Sequence, residues 1–237
     1  MKILLYNIGY CSGLTGKKTQ YVTEFNRYLH TPARIYQNIE QSIAQMVSRE
    51  KPDLCCFLEV HKDFDLGEAA KAFHRRVIDN KYGLKSWLRK IPFFRYNCNA
   101  FFARKKLPYR KKFFGEGTKK LIYDIDLGHN LSLIVSHFSL SKRTRKKQFE
   151  ELKQMVRNKM RVIVCGDFNI FDGEGELHDL VKSCNLRIVN ARGRTFPTVK
   201  PQKHFDLFLC SKDVPVKGWK VLKDCKVSDH LPVMLEV

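Results

Sequence analysis

An acidic residue and an amide follow a short apolar run in the second half of the sequence. Val162 to Gly166 has the composition of a buried strand, and Asp167 and Asn169 come directly after it. Either residue alone is common in turns and helix caps. At the end of a strand, however, a rigid element holds their oxygen atoms in place, as a catalytic or metal-binding site requires.

Polar residues recur at or near the ends of other predicted strands. Each has a structural interpretation on its own, such as a turn for Asn7 or a hydrogen-bonded core imidazole for His137. Buried carboxylates are costly without a cation or a donor, so several at one sheet edge are best tolerated around a divalent metal. Carboxylate and amide oxygens suit Mg²⁺, for which Mn²⁺ is a possible substitute. The residues of this set are Asn7, Glu59, His137, Asp167, Asn169, Asp206, Asp229 and His230.

The elements that position these residues alternate between strands and amphipathic helices. Ile35 to Val47 has helical spacing after Thr31 and Pro32, which predict the cap and first turn, and Pro52 ends the helix. A second helix is predicted around Glu68 to Ile78. A third is predicted from Arg143 to Lys159, with Phe149, Leu152 and Val156 facing inward. Residues 11–30 are polar and match no element.

The predicted strands are Lys2 to Tyr6, LCCFLEV, CNAFFAR, KLIYDIDL, NLSLIVSHF, VIVCG, HFDLFLC and PVMLEV. The fourth and fifth are separated by Gly128, Asn130 and their neighbours, which predicts a hairpin. Because hairpins are mixed with helical crossovers, we expect an α/β (α+β) fold of mixed sheets with helices outside, in one domain over residues 1–237.

Positive charge is concentrated in two windows. Residues 81–120 hold thirteen Lys and Arg against one acid, and residues 141–161 hold nine against two, within a net charge of +20. A localised positive field favours a polyanionic partner over a merely solubilising face. Nucleic acid, an anionic lipid surface and a phosphorylated solute all remain open at this point.

The eight cysteines form no C-x-x-C pair, which argues against a zinc site. Cys55, Cys165 and Cys210 lie in apolar runs and fit reduced core thiols, as in the cytoplasm. Asn7 interrupts the first apolar run too early for a signal-peptide core, and no run approaches the length of a membrane span. We therefore expect a cytoplasmic protein.

The strand-end residues lie in segments that resemble the motifs of the endonuclease/exonuclease/phosphatase superfamily, in its order and over almost the whole chain. These segments are LLYNIGY, CFLEV, CNAFFAR, VSHFSL, GDFN and SDHLPV, with Cys98 in place of the glycine of a G-N-A segment. The resemblance implies a four-layer sandwich of two packed mixed β-sheets flanked by helices. It also implies a Mg²⁺-dependent phosphoesterase with its site at one end of the sandwich.

The resemblance also implies roles for the residues. Glu59 is the main metal ligand, with Asn7 and Asp229 in or near the coordination shell. Asp167 orients or deprotonates the attacking water, and Asn169 positions that water or a phosphate oxygen. His230 binds the scissile phosphate or transfers a proton, and Asp206 fixes its tautomer. His137 gives the phosphate a hydrogen bond or a positive charge, and substrate binding is assigned to Asn99, Arg104 and Arg143.

Positions where the chain departs from the motifs reduce the number of expected substrate classes. Relatives that repair abasic sites usually carry Tyr in place of His137 and an acid in place of Gly9, so the chain resembles them less. The insertion at residues 11–33 lies beside the first motif and is interpreted as a loop that shapes substrate binding. Residues 81–120 also carry ten aromatics, on which bases could stack: Tyr82, Trp87, Phe93, Phe94, Tyr96, Phe101, Phe102, Tyr109, Phe113 and Phe114.

Three functions follow from this pattern. The favoured one is a phosphodiesterase or nuclease that cleaves nucleic acid by metal-assisted attack of water. The second is a phospholipid hydrolase of the same fold, sphingomyelinase-like or phosphoinositide phosphatase-like, because aromatics beside basic residues also suit an anionic membrane. The third, disfavoured because every expected site residue is present, is a non-catalytic module that binds polyanions.

Overall fold

The computed structural model describes residues 1–28, 31–92 and 94–237, which form two six-stranded sheets and four α-helices. The strands are β1 Lys2–Asn7, β2 Leu54–His61, β3 Arg75–Asn80, β4 Asn97–Ala103, β5 Tyr109–Phe113, β6 Leu121–Asp126, β7 Leu131–His137, β8 Arg161–Asp167, β9 Leu186–Ile188, β10 Asp206–Ser211, β11 Gly218–Val221 and β12 Val233–Glu236. The helices are α1 Lys18–Thr23, α2 Ala33–Glu50, α3 Lys142–Arg157 and α4 His178–Ser183.

Both sheets are mixed, as predicted. The first has the strand order β11-β12-β1-β2-β4-β3, and the second has the order β5-β6-β7-β8-β10-β9. Each contains one parallel pair, β1 with β2 and β7 with β8, among antiparallel neighbours. The predicted hairpin is confirmed, because β6 and β7 pair antiparallel.

The two sheets pack face to face, and helices cover their outer faces. Along β1, Ile3 and Leu5 enter the core between the sheets, whereas Leu4 and Tyr6 pack on the side of α2. Since both faces are covered, the central strands are continuously apolar rather than alternating. The expected four-layer sandwich is confirmed.

Helix α2 lies on the first sheet and buries Ile39, Ile43, Met46 and Val47. Pro32 is its N-cap, and no side chain caps this end. The predicted cap at Thr31 is therefore wrong: the hydroxyl of Thr31 donates to the carbonyl of Arg27 instead, at 2.9 Å.

The helix predicted around Glu68 to Ile78 is also wrong. A short 3₁₀ helix covers Gly67–Ala72, and Arg75–Asn80 then forms β3 at the edge of the first sheet. All six residues of β3 pair with β4. Hydrogen bonding to a neighbouring strand has outweighed a helical pattern that was only one turn longer than the 3₁₀ segment.

Helix α3 lies on the second sheet, one residue longer at its start than predicted. Phe149, Leu152 and Val156 are buried there with residues of α4, as expected. Ser141 caps the helix by accepting a hydrogen bond from the backbone N–H of Thr144 at 3.4 Å.

The eight cysteines are free thiols, and all except the half-buried Cys184 are buried. Within the described residues, no helix combines the length and apolar character needed to span a membrane.

Candidate active site

The strand order explains why residues far apart in sequence meet at one edge. In each parallel pair the carboxyl ends lie together, which brings Asn7 level with Leu58, and His137 level with Asp167. Strand β10 runs the other way, so its first residue, Asp206, pairs with Asp167. Three consecutive strands of the second sheet therefore present His137, Asp167 and Asp206 in register.

Gly166 allows β7 and β8 to approach at this edge. A Cβ at this position would lie 1.8 Å from the carbonyl oxygen of Ser136, a separation that no atom pair tolerates. The glycine of the G-D-F-N segment is thus required by packing, and it places the neighbouring Asp167 beside His137.

Glu59 is aimed into the site by an irregularity in β2. The pairing with β4 shifts register between Phe57 and Val60, and Glu59 has a positive φ of 53°. A β-bulge bends a strand and re-aims the side chain at the bulge. Asn99 holds this conformation, because its side-chain oxygen accepts a hydrogen bond from the Glu59 N–H at 3.2 Å. Asn99 does not line the cavity, so its assignment to substrate binding is corrected to support of Glu59.

The polar edge opens into a cavity of about 570 Å³ between the ends of the two sheets. Its floor is polar and its walls are largely aromatic. The floor residues are Asn7, Glu59, Lys81, Asn97, Lys119, Asp167, Asn169, Asp229 and His230. The wall residues are Tyr10, Tyr82, Phe94, Leu140, Phe171, Phe196 and Phe205.

Asp167 is the hub of the polar floor. Its Oδ2 accepts a hydrogen bond from the Asn7 side-chain amide at 3.0 Å and lies 3.2 Å from His137 Nε2. His230 Nε2 lies 3.9 Å from the same oxygen. Burial opposes ionisation of Asp167, but contact with His137 and the charges of His230 and Lys119 lower the pKa of the carboxyl below its usual value. Asp167 is therefore a carboxylate at neutral pH.

Asn169 follows in a left-handed conformation with a φ of 49°. Its backbone N–H donates to Asp167 Oδ1 at 3.0 Å, and its side-chain amide donates to the carbonyl of Phe138 at 3.0 Å. Non-glycine residues seldom adopt this conformation, and those that do cluster at functional sites. The two bonds fix Asn169 with its side chain at the cavity.

Asp206 holds His230 in place from the side away from the cavity. Its Nδ1 lies 2.7 Å from Asp206 Oδ2, and the Thr195 hydroxyl donates to the same oxygen at 2.6 Å. Burial disfavours the imidazolium, but the charges of Asp206, Asp167 and Asp229 outweigh it and raise the pKa of His230 to about 10. Asp206 is fully buried, so it positions His230 and does not contact the cavity.

His137 is buried between Asp167 and Glu59, with Nδ1 at 3.7 Å from Glu59 Oε1. Burial and the nearby Lys119 ammonium lower the pKa of His137 to about 3, so the ring is neutral at pH 7. Of the two roles predicted for His137, the lowered pKa favours the hydrogen bond over the positive charge, and both roles stay predictions. The structure shows the ring between two carboxylates.

Two lysines complete the floor, and neither was predicted from the sequence as a site residue. Lys81 and Lys119 place their ammonium groups 3.5 and 3.6 Å from Glu59 Oε1. Lys81 also contacts the Tyr10 hydroxyl, with its ammonium 4.7 Å from the ring centroid, and Lys119 contacts His137 Nε2. Both lysines lie inside a basic window, where a cation is most simply interpreted as solvated. The available signal was position, because Lys81 directly follows β3 and Lys119 lies just before β6.

A comparison with protein families decides among the possible interpretations of this geometry. The model of the endonuclease/exonuclease/phosphatase family matches residues 35–230. The chain belongs to this family. Its members are generally hydrolases of phosphoester bonds, so the chain is assigned to a family of phosphoesterases and the predicted resemblance is confirmed.

Solved structures of the endonuclease/exonuclease/phosphatase fold superpose on the whole chain. An endonuclease/exonuclease/phosphatase family protein from Leptotrichia buccalis has a TM-score of 0.72 at 17% identity and covers 100% of this chain and 99% of its own. TDP2 from Caenorhabditis elegans has a TM-score of 0.65 at 15% identity, covering 100% and 74%. A mannosyl-6-phosphatase from Bacteroides thetaiotaomicron has a TM-score of 0.67 at 16% identity, covering 100% and 98%. Among curated proteins, none matches the sequence. At these identities the likeness concerns the fold alone.

Two cationic residues that the sequence assigned to substrate binding lie outside the active-site cavity. Arg104 follows β4 at the far end of the first sheet, where its Nε donates to the carbonyl of Pro52 at 2.8 Å and its guanidinium lies over the Phe73 ring. Arg143 is exposed on α3 and does not line the cavity. Both assignments are corrected, because positive charge in the sequence does not reveal which end of a sheet it occupies.

Enzymes of the family are typically dependent on a divalent metal, and the residues of this floor fit one. Glu59, Asp167 and Asp229 bring three carboxylates to one cavity, beside the amide of Asn7. Burial raises the pKa of Glu59, and the charges of Asp229 and Asp167 raise it further, although Lys119 opposes them. Carboxylates that repel one another in this way are stabilised by a cation, and their oxygens are ligands that Mg²⁺ prefers. The structure fits a metal at Glu59 with Asn7 and Asp229 nearby.

Asp206, behind the floor, forms a close group with two floor residues. Ligand atoms of Asp167, Asp206 and His230 lie within 4.8 Å of one another. Since His230 Nδ1 bonds to the buried Asp206, we interpret Asp206 as the residue that orients the imidazole and not as part of the metal site.

Proposed function

We propose that the chain is a Mg²⁺-dependent phosphodiesterase that cleaves nucleic acid by attack of water. The observation that carries this proposal is the composition of one cavity. Its floor joins three carboxylates to an imidazole and two lysine side chains, and its walls carry six aromatic rings. The floor suits a reacting phosphate, and the walls suit the bases on either side of it.

Glu59, with Asn7 and Asp229, would hold the metal. The bound metal would supply Lewis-acid stabilisation of the charge that develops on the phosphate oxygens. Asn7 is held for this task by Asp167, and Asp229 by the Ser228 hydroxyl, which donates to Asp229 Oδ1 at 3.2 Å. The ligands are thus fixed before substrate binds, which lowers the reorganisation that the reaction requires.

Asp167 and Asn169 form the water-binding side of the proposed site. Asp167 remains ionised, so its carboxylate accepts a hydrogen bond from the attacking water and can take its proton. Asn169 is fixed through its Nδ2, which leaves its side-chain oxygen at the cavity for the water. His137 is neutral and donates to Asp167 or accepts from Lys119, which orients the carboxylate.

His230 lies on the same floor as Asp167 and faces the scissile phosphate in this proposal. With Nδ1 bonded to Asp206, Nε2 is the nitrogen that faces the cavity, 3.9 Å from Asp167 Oδ2. The protonated ring donates to a phosphate oxygen and stabilises the negative charge of the transition state. Lys119 adds positive charge next to Glu59, where a phosphate would approach, whereas burial and the charge of Lys119 lower the pKa of Lys81 well below its usual value and weaken its contribution.

The walls favour nucleic acid over a small phosphorylated solute. Phe196 and Phe205 stack with centroids 5.3 Å apart, and Phe171 packs edge-on against Phe205 at 4.9 Å while leaving 42% of its surface exposed. Phe94 and Tyr82 form a second aromatic pair at 5.9 Å. Base–aromatic stacking contributes about 1–3 kcal/mol per base, so two such walls would hold nucleotides on both sides of the scissile bond.

A second candidate, a phospholipid hydrolase, is favoured by one observation. Leu84 and Trp87 are 72% and 68% exposed, and they lie between the cavity residues Tyr82 and Phe94 with Lys85, Arg89 and Lys90 close in sequence. Exposed apolar side chains with cations around them are typical of a surface that enters the headgroup region of an anionic membrane.

A substrate panel separates the candidates. The protein is incubated with plasmid DNA, a single-stranded oligonucleotide, RNA, sphingomyelin vesicles and phosphoinositide vesicles, first with Mg²⁺ and then with EDTA. Metal-dependent cleavage of a nucleic acid with intact lipids is the expected result. Hydrolysis of a lipid with every nucleic acid untouched would select the second candidate.

A double variant sharpens the panel. The double variant Leu84→Ser/Trp87→Ser should abolish vesicle binding if the lipid candidate holds, and it should leave oligonucleotide cleavage within a few fold of wild type if the nuclease holds. Absence of metal-dependent turnover on all five substrates would leave a non-catalytic module that binds polyanions.

A further inference from the structure

A second cavity of about 510 Å³ lies on the other side of the loop that carries Phe196. It is open to solvent, and its lining combines cations with one large aromatic ring. The lining residues are Arg192, Gly193, Arg194, Thr198, Val199, Pro201, Trp219, Val221, Lys223, Lys226 and Leu231. We call it the Trp219 pocket.

Trp219 forms a flat surface in this pocket. It projects from the edge strand β11, and its ring lies against the backbone of Gly193. A Cβ at Gly193 would lie 3.0 Å from one ring carbon of Trp219 and 3.4 Å from another, closer than ordinary van der Waals contact. The glycine therefore lets the edge of the indole approach the loop closely, while 37% of the Trp219 surface stays exposed.

Four cations line the pocket together with this ring, and no carboxylate does so among the described residues. Arg192, Arg194, Lys223 and Lys226 are all exposed, and none forms an ion pair with any residue that the structure describes. The nearby Asp224 is directed to Arg49, at 3.7 Å. Uncompensated cations around an exposed aromatic ring form the combination that binds single-stranded nucleic acid, where phosphates meet the charges and a base meets the ring.

The Trp219 pocket and the active site share one wall. Phe196 and His230 line the active-site cavity, whereas their chain neighbours Thr198 and Leu231 line the Trp219 pocket. Backbone hydrogen bonds join the two segments, from Leu231 N–H to the Thr195 carbonyl and from Thr198 N–H to the Asp229 carbonyl, each at 2.9 Å. The two cavities are therefore separated by one hydrogen-bonded wall.

We propose that the Trp219 pocket binds a single-stranded nucleic-acid segment continuous with the strand in the active site. One base stacks on Trp219, and the flanking phosphates pair with Arg192, Arg194, Lys223 and Lys226. The continuity with the active site rests on the proposed nuclease function, whereas the binding itself does not. The pocket would make the enzyme prefer single-stranded substrates over duplexes, because a stacked base must be free of its partner.

The test uses the fluorescence of the ring itself. The chain has two tryptophans, so Trp87→Phe leaves Trp219 as the only one. This variant is titrated with a short oligothymidylate in EDTA, which prevents metal-dependent cleavage. Stacking should quench the emission of Trp219 saturably, and Trp219→Ala should weaken binding of a labelled oligothymidylate roughly five- to hundredfold.

Charge variants test the phosphate contacts. The slope of log K against log salt should fall by roughly 1.4 in Arg192→Ala/Arg194→Ala, since each phosphate contact to a single strand contributes about 0.7. The control is Lys105→Ala/Lys106→Ala, which removes two exposed cations that do not line the pocket. An equal loss of slope in the control would reduce the effect to net charge and overturn the proposal.

Two further outcomes are decisive. Unquenched Trp219 emission at saturating oligothymidylate would overturn the proposal, as would a blue shift with anionic phosphatidylserine vesicles alone, which would assign the pocket to a membrane.

Hydrolysis of a small phosphodiester such as bis-p-nitrophenyl phosphate should be unchanged in Trp219→Ala. Saturable quenching without any phosphodiester turnover would contradict the proposed function and leave the binding site standing.

Discussion

Asp206 Oδ2 lies 2.7 Å from His230 Nδ1, with both side chains buried and the Thr195 hydroxyl bonded to the same oxygen. Asp206 is the first residue of β10, and His230 precedes β12. Their contact therefore joins the second sheet to the first at the floor of the cavity. Because Asp206 has no access to substrate, its effect on the reaction must pass through the orientation and charge of His230.

Replacing Asp206 with Asn tests this relationship. An amide conserves the shape but lacks the charge that favours the imidazolium, so His230 should lose its fixed proton at Nδ1. We expect kcat to fall by roughly 10²–10⁴-fold, the usual contribution of a positioned acid or base, while KM changes much less. Thr195→Val removes one hydrogen bond to the same oxygen and should cost less than tenfold. A rise in KM as large as the fall in kcat would indicate that Asp206 has a merely structural role.

Lys119 should oppose metal binding as well as assist phosphate binding. Its ammonium lies 3.6 Å from Glu59 Oε1 and so competes with a divalent cation for that carboxylate. Replacement by Met should lower the Mg²⁺ concentration for half-maximal activity by several fold, because two unit charges at this range interact by about 1 kcal/mol even when fully screened by bulk water. The same variant should have a higher KM. An increased Mg²⁺ requirement would show that Lys119 supports the metal.

Gly166 should be intolerant of any side chain. In Gly166→Ala the new Cβ would lie 1.8 Å from the carbonyl oxygen of Ser136. That carbonyl belongs to β7, so the strand would have to move. Overpacking of this kind costs about 3 kcal/mol, and Asp167 would be displaced from His137. Thermal unfolding should show a lower Tm together with lost activity. Gly175→Ala is the control, since nothing lies within 4 Å of its Cβ position.

Arg145 should stabilise the fold although it lies in a run of basic residues. Its guanidinium is buried, donates to Glu176 Oε2 at 2.6 Å, and holds the carbonyls of Ser139 and Leu140 at 3.1 and 2.8 Å. Arg145→Met would leave Glu176, whose side chain is 7% exposed, without its partner. Breaking such a pair costs about 3–5 kcal/mol, which lowers Tm by roughly 10 °C in a domain of this size. Arg143→Met, exposed on the same helix, should leave Tm unchanged; a similar fall in both would contradict this account.

The sequence predicted the gathering of these residues at one place better than the elements between them. Asn7, Glu59 and Asp167 lie at or near the carboxyl ends of apolar strands, and the parallel pairs β1/β2 and β7/β8 bring such ends together, whereas the catalytic and metal-binding roles of these residues stay predictions. Edge elements are harder to predict, as β3 shows: its residues were assigned to a helix because pairing with β4 leaves no local signal.

Charged residues were the least predictable part of the chain. Arg145 and Lys81 are buried, Lys119 is half-buried and Arg143 is exposed, yet all four lie in basic windows and look alike in the sequence. Of the aromatics in the first window, Phe101, Phe102 and Phe114 belong to the core, and Tyr82 and Phe94 line the cavity. Phe93 lies outside the described residues. The insertion packs near Phe196–Pro197 through a hydrogen bond from Val199 N–H to the Thr15 carbonyl, and its influence on substrate binding stays a prediction.

The central claim is that Glu59 holds a metal needed for phosphodiester hydrolysis. The direct measurement is turnover of a single-stranded oligonucleotide during a Mg²⁺ titration of metal-stripped protein. Wild type and Glu59→Gln are compared once thermal unfolding has shown the same Tm for both. Wild type should be inactive in EDTA and recover with Mg²⁺, and Glu59→Gln should lose roughly 10²-fold or more, since Lewis-acid stabilisation is worth several kcal/mol. A Glu59→Gln variant with wild-type turnover and unchanged Mg²⁺ dependence would contradict the account.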